Sequence, residues 1–478
     1  MNKSMIRYLL SKLLLIEAVL LLVPVAIAVY YRESSQVFTA LFSTIGILVL
    51  LGGSGSLQKP KNQRIYAKEG VLIVALCWIL WSFFGGLPFV FSGQIPSVID
   101  AFFEISSGFT TTGASILNDI SVLSRSLLFW RSFTHLIGGM GVLVFALAIM
   151  DNAKNSHLEV MKAEVPGPVF GKVVSKLKNT AQILYLLYLA LFSLFVIIYY
   201  LAGMPLYDSF VIAMGTAGTG GFTVYNDGIA HYGSSLITYL VSIGVLVFGV
   251  NFNLYYLMLR RIKAFFGDEE LRAYLVIVLV STGLISLNTL YLYPGFSKSF
   301  EMTFFQVSNI ITTTGFGYGD ITNWPLFSQF ILLFLMAIGG SAGSTAGGLK
   351  IIRGLILSKI AKNQILSILS PHRVLTLHVN QTVIDKDTQH KILKYFVIYA
   401  MILLALIFIV SLDSNDFLVV TSAVFSCFNN IGPILGTTSS FSIFSPISKI
   451  LLSFAMIAGR LEIYPILLLF MKRTWSKR

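Results

Sequence analysis

The chain has 478 residues, of which 56% are hydrophobic and 12% are charged, and its formal net charge is +13. Soluble domains carry about 25% charged residues, so this composition excludes an ordinary soluble protein and indicates that lipid surrounds most of the surface. The two cysteines, Cys77 and Cys427, lie far apart in apolar stretches, which argues against a disulfide framework or a cysteine metal site.

Basic residues recur between the apolar runs. Most of the 34 Lys and Arg fall in the segments 3–12, 59–68, 154–178, 260–272, 359–394 and 472–478. An excess of positive charge that returns to one side of the membrane is the positive-inside pattern, and it predicts that both termini are cytoplasmic. The positive charge therefore reflects topology, and we expect no nucleic-acid partner.

Two plain spans open the chain at about 13–31 and 38–57, so residues 1–58 are predicted to form an N-terminal two-helix extension. Four copies of one pattern follow: a span, a shorter apolar segment that ends near a Gly, and a second span. The predicted repeats cover residues 70–151, 180–261, 272–358 and 391–471. Their second spans are predicted at about 127–150, 236–259, 327–357 and 447–471.

The short segments between the spans lie at 100–115, 207–224, 301–319 and 416–438. They are too short to cross a bilayer, and their non-helical turns cannot face lipid, so the turns must be enclosed by protein or line water. We therefore predict an all-α integral membrane protein in which four helix–pore loop–helix repeats surround a central pore.

Each short segment ends in a turn glycine, which we place at Gly113, Gly220, Gly315 and Gly432. Ten residues before the first three stand Phe103, Phe210 and Phe305, whereas the fourth copy has Ser422. A potassium filter requires inward-pointing backbone carbonyls, which Gly permits, and a preceding Thr adds an uncharged oxygen. The predicted filter comprises Thr111, Thr112, Gly113, Gly218, Thr219, Gly220, Thr313, Thr314, Gly315, Asn430, Ile431 and Gly432.

These turns resemble those of the Trk, Ktr and HKT potassium transporter superfamily, and most closely the bacterial TrkH type. The resemblance rests on residues 107–113, Ser-Gly-Phe-Thr-Thr-Thr-Gly, together with residues 312–317, Thr-Thr-Thr-Gly-Phe-Gly. It covers essentially the whole chain, including the two extra N-terminal helices. In this family one Gly per repeat forms the filter, and a Ser at the first position accompanies sodium preference in some members, so four glycines favour potassium.

The resemblance also implies a cellular setting. It implies potassium uptake at a bacterial plasma membrane by a homodimer, with a cytoplasmic TrkA-like regulatory subunit that senses nucleotides. The basic segment 359–394 is the expected docking surface. Potassium is then the only metal and is the substrate, and no cofactor is expected in this chain because any nucleotide acts through the partner.

The third repeat's second span contains a run of glycines, Gly339, Gly340, Gly343, Gly347 and Gly348. Gly costs about 1 kcal/mol in a helix interior relative to Ala, so this run predicts a break inside the membrane. Related proteins have an intramembrane gating loop here. A phosphate-binding loop is excluded because the Gly-Lys-Ser/Thr ending is missing.

Charged residues inside spans need an explanation. Arg460 in the last span is expected to face the pore below the filter, the alternative being a salt bridge or bonds to loop carbonyls. Lys350 and Arg353 are interpreted as cytoplasmic-side anchors. Arg131 and His135 are expected to bind neighbouring carbonyls.

The sequence is also compared with what functions other than potassium conduction would require. A sodium- or proton-coupled potassium symporter on the same scaffold would need a buried carboxylate facing the pathway, for which Glu104 and Glu462 are the candidates. The glycines could instead serve close helix packing. The chain contains no paired catalytic carboxylates and no metalloprotease motif, so it is not expected to be an enzyme. Asp208 and Asp416 either concentrate cations at the mouth or cap pore helices.

Overall fold

The computed structural model describes residues 1–62, 65–141, 177–258, 262–319, 321–370, 375–380 and 382–475. The predicted continuation of the first repeat's second span to residue 150 lies outside the described residues. So does most of the basic segment 154–178.

The N-terminal extension consists of three helices that lie against the first repeat. They are α1 (Lys3–Leu20), α2 (Leu22–Tyr30) and α3 (Ser35–Ser56). Helices α1 and α3 approach closely at small residues, because a Cβ atom on Gly52 would lie 2.8 Å from the Ser11 carbonyl oxygen. This is the small-residue packing that membrane helices use where burial of apolar surface gives no advantage over lipid.

Each of the next four units begins with a long apolar helix and continues with a shorter one. The long helices are α4 (Ala67–Phe91), α7 (Leu177–Leu201), α12 (Glu269–Asn288) and α16 (Lys386–Val410). The shorter helices are α5 (Val98–Phe109), α8 (Leu206–Gly218), α13 (Phe296–Ile311) and α17 (Phe417–Phe428). Six described helices are long and apolar enough to cross a membrane, or seven if one bent pair counts as a single span.

The helices that follow the filter turns are shorter than the predicted second spans. In the first repeat this helix is α6 (Arg125–Gly139), and in the second it is α9 (Ser235–Phe248), followed by α10 (Phe252–Met258) and α11 (Ile262–Gly267). The third repeat has α14 (Leu326–Ile338) and α15 (Ile351–Leu369). The fourth has α18 (Pro446–Arg460), α19 (Tyr464–Phe470) and α20 (Lys472–Trp475).

Two of the predicted second spans are therefore wrong as continuous helices. The span predicted at 236–259 bends by 90° between α9 and α10. The span predicted at 447–471 is interrupted after Arg460, where Glu462 and Ile463 both adopt positive φ. Only the break in the third repeat was expected, and it is present between Ile338 and Ile351.

A small hairpin joins the third and fourth repeats. Strands β1 (His378–Val379) and β2 (Thr382–Val383) pair antiparallel, with His378 opposite Val383. Around this hairpin, Leu377, Val379 and Ile384 pack in one apolar cluster with Ile352 and Ile356 of α15. The hairpin is thereby attached to the helix that follows the glycine-rich break.

Candidate functional site

The short helices α5, α8, α13 and α17 all end in the same type of turn. One backbone N–H in each turn donates to the carbonyl five residues earlier, and the four donors are Thr112, Gly220, Thr314 and Ile431. The residue before each donor has positive φ, as does the glycine after it. We call residues 110–113, 218–221, 312–315 and 429–432 the filter segments, and all twelve predicted filter residues lie within them.

This register corrects one predicted position. The second repeat's equivalent of Gly113 is Gly221, with a φ of 74°, and not Gly220. Gly220 and Gly221 are adjacent in the sequence, and a spacing of ten residues from Phe210 led to the choice of Gly220. Phe210 is 37% exposed, whereas Val211 is fully buried like Phe103, so Val211 is the true equivalent.

The four filter segments form a closed ring. Each positive-φ glycine lies against a carbonyl oxygen of the next repeat: Gly113 against Gly220, Gly221 against Thr314, Gly315 against Ile431, and Gly432 against Thr112. At every one of these contacts a Cβ atom would come within 3.0 Å of the carbonyl oxygen, a separation that real Cβ atoms essentially never show. Only glycine therefore fits at the four positions.

Buried polar side chains form hydrogen bonds that stabilise the ring. Asn430 donates to Thr112 Oγ1 at 3.0 Å and to the Met456 carbonyl at 2.8 Å, which ties the fourth filter segment to the first. His135 Nδ1 lies 2.7 Å from the Gly108 carbonyl oxygen, and the His135 ring also packs against Gly220. The expectation that His135 binds a neighbouring carbonyl is confirmed.

Arg131 was expected to bind a carbonyl, but it binds a carboxylate. Its Nε donates to Glu104 Oε1 at 2.5 Å, and both side chains are buried. Glu104 Oε2 also accepts from the Ile116 backbone N–H at 2.9 Å, and the Arg131 guanidinium lies 3.5 Å from the centre of the Phe222 ring. The ion pair thus links residues that follow the first and second filter segments.

The glycine-rich break, residues 339–350, is hereafter the intramembrane loop. It lies against two filter segments, because Gly347 N–H donates to Thr313 Oγ1 at 2.6 Å and the Gly347 Cα packs on the Asn429 carbonyl. It also contacts the bend of the second repeat, where Ser341 N–H donates to the Gly249 carbonyl at 3.1 Å. All five predicted gate glycines lie in this loop.

Arg460 bonds to backbone carbonyls from two different repeats. It donates to Thr345 in the intramembrane loop at 2.6 Å, and to Gly138 and Gly139 at the end of α6 at 2.5 and 2.6 Å. Bonds to loop carbonyls, the alternative left open from the sequence, are therefore present. These bonds also fasten the loop to the first and fourth repeats.

Lys350 and Arg353, interpreted from the sequence as cytoplasmic-side anchors, are both buried and bond within the protein. Lys350 Nζ donates to the Ala346 carbonyl within the intramembrane loop. Arg353 forms an ion pair with Glu462 and lies 4.1 Å from the centre of the Tyr395 ring. Both residues follow the glycine-rich run in the sequence, and the structure shows that the start of α15, where they lie, is buried in the protein.

The acidic residues of the loops outside the ring have separate roles. Asp416 caps α17 by accepting from Leu418 and Val419 N–H, whereas Asp208 makes no cap bond and accepts from Tyr232 at 3.0 Å. Asp119 accepts from Asn226 at 2.8 Å, and this bond and those from Ser121 lower the pKa of the Asp119 carboxyl. Asp320 lies outside the described residues.

Comparison with known proteins extends over the whole chain. A family model described as TrkH, cation transport protein, matches residues 34–477. The chain is 32% identical to the Trk system potassium uptake protein TrkG of Escherichia coli K12, with 95% of each chain covered. It is 31% identical to an uncharacterized cation transporter of Methanocaldococcus jannaschii, covering 97% of this chain and 94% of that protein. The crystal structure of the potassium transporter TrkH from Vibrio parahaemolyticus superimposes with a TM-score of 0.90, at 29% identity over 100% of both chains.

Proposed function

Because the chain belongs to the TrkH family of cation transport proteins, it is an all-α membrane transporter and not an enzyme, and we propose that it conducts potassium into the cell. The observation that carries this proposal is the closed ring of filter segments, in which four glycines each contact the next repeat's carbonyl. In this proposal the ions pass through the ring, where backbone carbonyls replace the water shell of a potassium ion.

The chemistry of the ring favours a monovalent cation. The filter segments consist of Thr, Gly, Asn and Ile, so none of their side chains carries a carboxylate or an ammonium group. The four short helices end at the segments, so their carbonyl ends bring partial negative charge to the ring. Potassium is therefore the substrate of this proposal, and the chain needs no cofactor for it.

The intramembrane loop is proposed as the gate. It contacts Thr313 and Asn429 of the filter segments, and Arg460 fastens it to the end of α6. Its five glycines let the backbone take another path at low steric cost. An ion that has passed the ring meets this loop, so conduction requires the loop to move.

Ion pairs argue against the coupled symporter as an alternative. Glu104 is neutralised by Arg131 and Glu462 pairs with Arg353, so neither presents an uncompensated carboxylate to the ring. Among the other buried carboxylates, Glu17 is fully buried and was not singled out from the sequence. It lies on α1 against Gly85 of α4, outside the filter segments.

Assembly and location complete the proposal. We assign the chain to the cell membrane with both termini cytoplasmic, as a homodimer that binds a TrkA-like nucleotide-sensing subunit. Two observations support a cytoplasmic docking surface at 359–394: its basic residues, and the hairpin attached to α15 through Ile352 and Ile356.

The filter is tested by cation binding and flux with Gly113→Ser, Gly221→Ser and Gly315→Ser. Gly283→Ser is the control, because no atom lies within 4 Å of a Cβ at Gly283. Equilibrium binding of rubidium-86 to the purified protein, competed with potassium or sodium, reads the filter independently of the gate. Uptake into liposomes then measures conduction.

Each filter variant is expected to lower potassium-over-sodium discrimination at least about tenfold, or ~1.4 kcal/mol, because the added Cβ displaces a neighbouring carbonyl. Gly283→Ser is expected to match the wild type. Unchanged discrimination in all three filter variants would place the ion path elsewhere and refute the proposal.

A further inference from the structure

One acidic side chain bonds to both sides of the intramembrane loop. Glu270, in the first turn of α12, is 5% exposed. Its Oε1 accepts from the Ala342 N–H at 2.7 Å and from the Ile352 N–H at 3.2 Å. Ala342 lies near the start of the loop and Ile352 is the second residue after its end, so a single oxygen bonds to both sides.

The first turn of α12 fixes where this side chain points. Asp268 caps the helix by accepting from the Leu271 N–H at 2.8 Å, and the positive end of a helix favours acidic groups in its first turn. The two preceding acids face other partners. Glu269 pairs with Lys359 and accepts from the Asn380 N–H, and Asp268 accepts from the Asn380 side chain at 2.6 Å.

A carboxylate suits this position better than a neutral acceptor does. Both donors are backbone N–H groups, Ala342 in the partly buried loop and Ile352 in the buried first turn of α15, where an unmade hydrogen bond is costly. Hydrogen bonds to a charged acceptor are roughly twice as strong as neutral ones. The loop also bonds to Thr313 and Arg460, on the side of the filter segments and the last repeat, and to the Gly249 carbonyl at the bend of the second repeat.

We propose that Glu270 is a positioning residue of the gate: by accepting from Ala342 and Ile352 it fastens the two sides of the intramembrane loop together and holds the loop across the ion path. The inference rests on the proposed function, because it takes the loop to be the gate. It adds a fastening point on the first helix of the third repeat, which no sequence pattern singles out.

The test compares Glu270→Met, Glu270→Gln and the matched control Glu269→Gln. Met keeps the side-chain length and removes both acceptors, and Gln keeps a neutral acceptor oxygen. The control alters the adjacent acid, whose partners are Lys359 and Asn380 and not the loop. Two readouts are taken on the full chain: amide hydrogen exchange over 339–352, and rubidium-86 flux in liposomes with potassium-over-sodium selectivity.

Glu270→Met is expected to speed amide exchange across 339–352 at least about tenfold, since both fastening bonds are lost. It is expected to raise flux with selectivity unchanged, Glu270→Gln is expected to fall between it and the wild type, and Glu269→Gln is expected to match the wild type. Unchanged exchange in Glu270→Met would overturn the inference, as would equal acceleration in Glu269→Gln.

The two readouts separate this inference from the proposed function. Faster exchange without altered flux would support the fastening role and would refute the loop as the gate. Raised flux accompanied by lost selectivity would indicate that the filter segments had collapsed, and it would overturn a role confined to the loop. If Glu270→Met does not fold, Glu270→Gln against Glu269→Gln gives the same comparison with smaller changes.

Discussion

Four equivalent residues of the filter segments adopt a backbone conformation that their side chains disfavour. Thr111, Thr219, Thr313 and Asn430 have φ between 53° and 59°. Such a conformation costs about 1–3 kcal/mol and persists only where the surroundings impose it. Asn tolerates it better than the β-branched Thr does. The same conformation recurs at the equivalent position in every repeat, next to the glycine ring, which supports the proposed role of these turns as the filter.

The buried ion pair behind the first two filter segments leads to a stability prediction. Arg131→Met leaves the Glu104 carboxylate buried without its cation, and removing one member of a buried pair costs about 3–5 kcal/mol. The double variant Arg131→Met with Glu104→Gln is expected to recover much of that loss. Thermal unfolding in detergent, followed with a thiol-reactive fluorophore, measures this because Cys77 and Cys427 are both buried.

The control for this pair is Lys391→Met, which removes the cation of the exposed Lys391–Asp387 pair. Exposed pairs contribute about 0–1 kcal/mol, so its melting midpoint is expected to stay close to that of the wild type. A double variant no more stable than Arg131→Met would show that the loss comes from packing around Phe222 and not from the unpaired charge.

At the scale of elements, the helices after the second, third and fourth filter segments are interrupted. In the third repeat five glycines signal the break. In the fourth, the break follows Arg460, and the residues that turn the chain are Glu462 and Ile463, which sequence rules do not associate with positive φ. At this break the Ile463 N–H donates to the Ala458 carbonyl at 2.7 Å, and the Arg460 side chain donates to the Thr345 carbonyl of the intramembrane loop. Local sequence therefore signalled the break in the third repeat and not the break in the fourth.

Variants of Asp416, which lies at the start of α17, distinguish a helix-capping role of its side chain from an effect of its charge on cations. Its side chain accepts from the N–H groups of Leu418 and Val419, and loss of such a cap costs about 1 kcal/mol. Asp416→Ala is expected to lower the melting midpoint, whereas Asp416→Asn keeps a capping oxygen, removes the charge and is expected to be nearly neutral.

Rubidium flux at low and high ionic strength tests the other role of Asp416. If the carboxylate concentrates cations at the mouth, Asp416→Asn would lower flux mainly at low salt, because salt screens exposed charges. We expect no such difference, since the side chain is occupied by the helix N-terminus. A salt-dependent loss of flux in Asp416→Asn would contradict the capping interpretation.

For the whole molecule, charge distribution predicts the orientation in the membrane. Ser4 and Ser439 are both exposed, and they lie on opposite sides if both termini are cytoplasmic. Ser439→Cys is expected to react with a membrane-impermeant maleimide in intact cells, and Ser4→Cys only after permeabilisation. The buried Cys77 and Cys427 give a low background. The reverse labelling pattern would invert the topology and would exclude uptake through a cytoplasmic gate as described.

Periodicity and composition were sufficient to predict an all-α membrane fold, because long apolar runs separated by basic segments leave few alternatives. The glycines placed at the turns of the first, third and fourth repeats, Gly113, Gly315 and Gly432, are those that adopt positive φ. The second repeat was set one residue off, since Gly220 and Gly221 are indistinguishable in sequence. Glu270 was missed because an acid at the start of a helix is ordinarily a solvated residue.

The sequence by itself determined which segments are too short to cross a membrane, where glycines permit a tight turn and which segments are basic, since these depend on local composition. Only the tertiary structure decided which glycine meets which carbonyl, which charges are paired and what holds the intramembrane loop. Those features arise from contacts between residues far apart in the chain, such as Asn430 with Thr112 and Arg460 with Gly138. No local pattern encodes such a contact, because each partner is ordinary in its own segment.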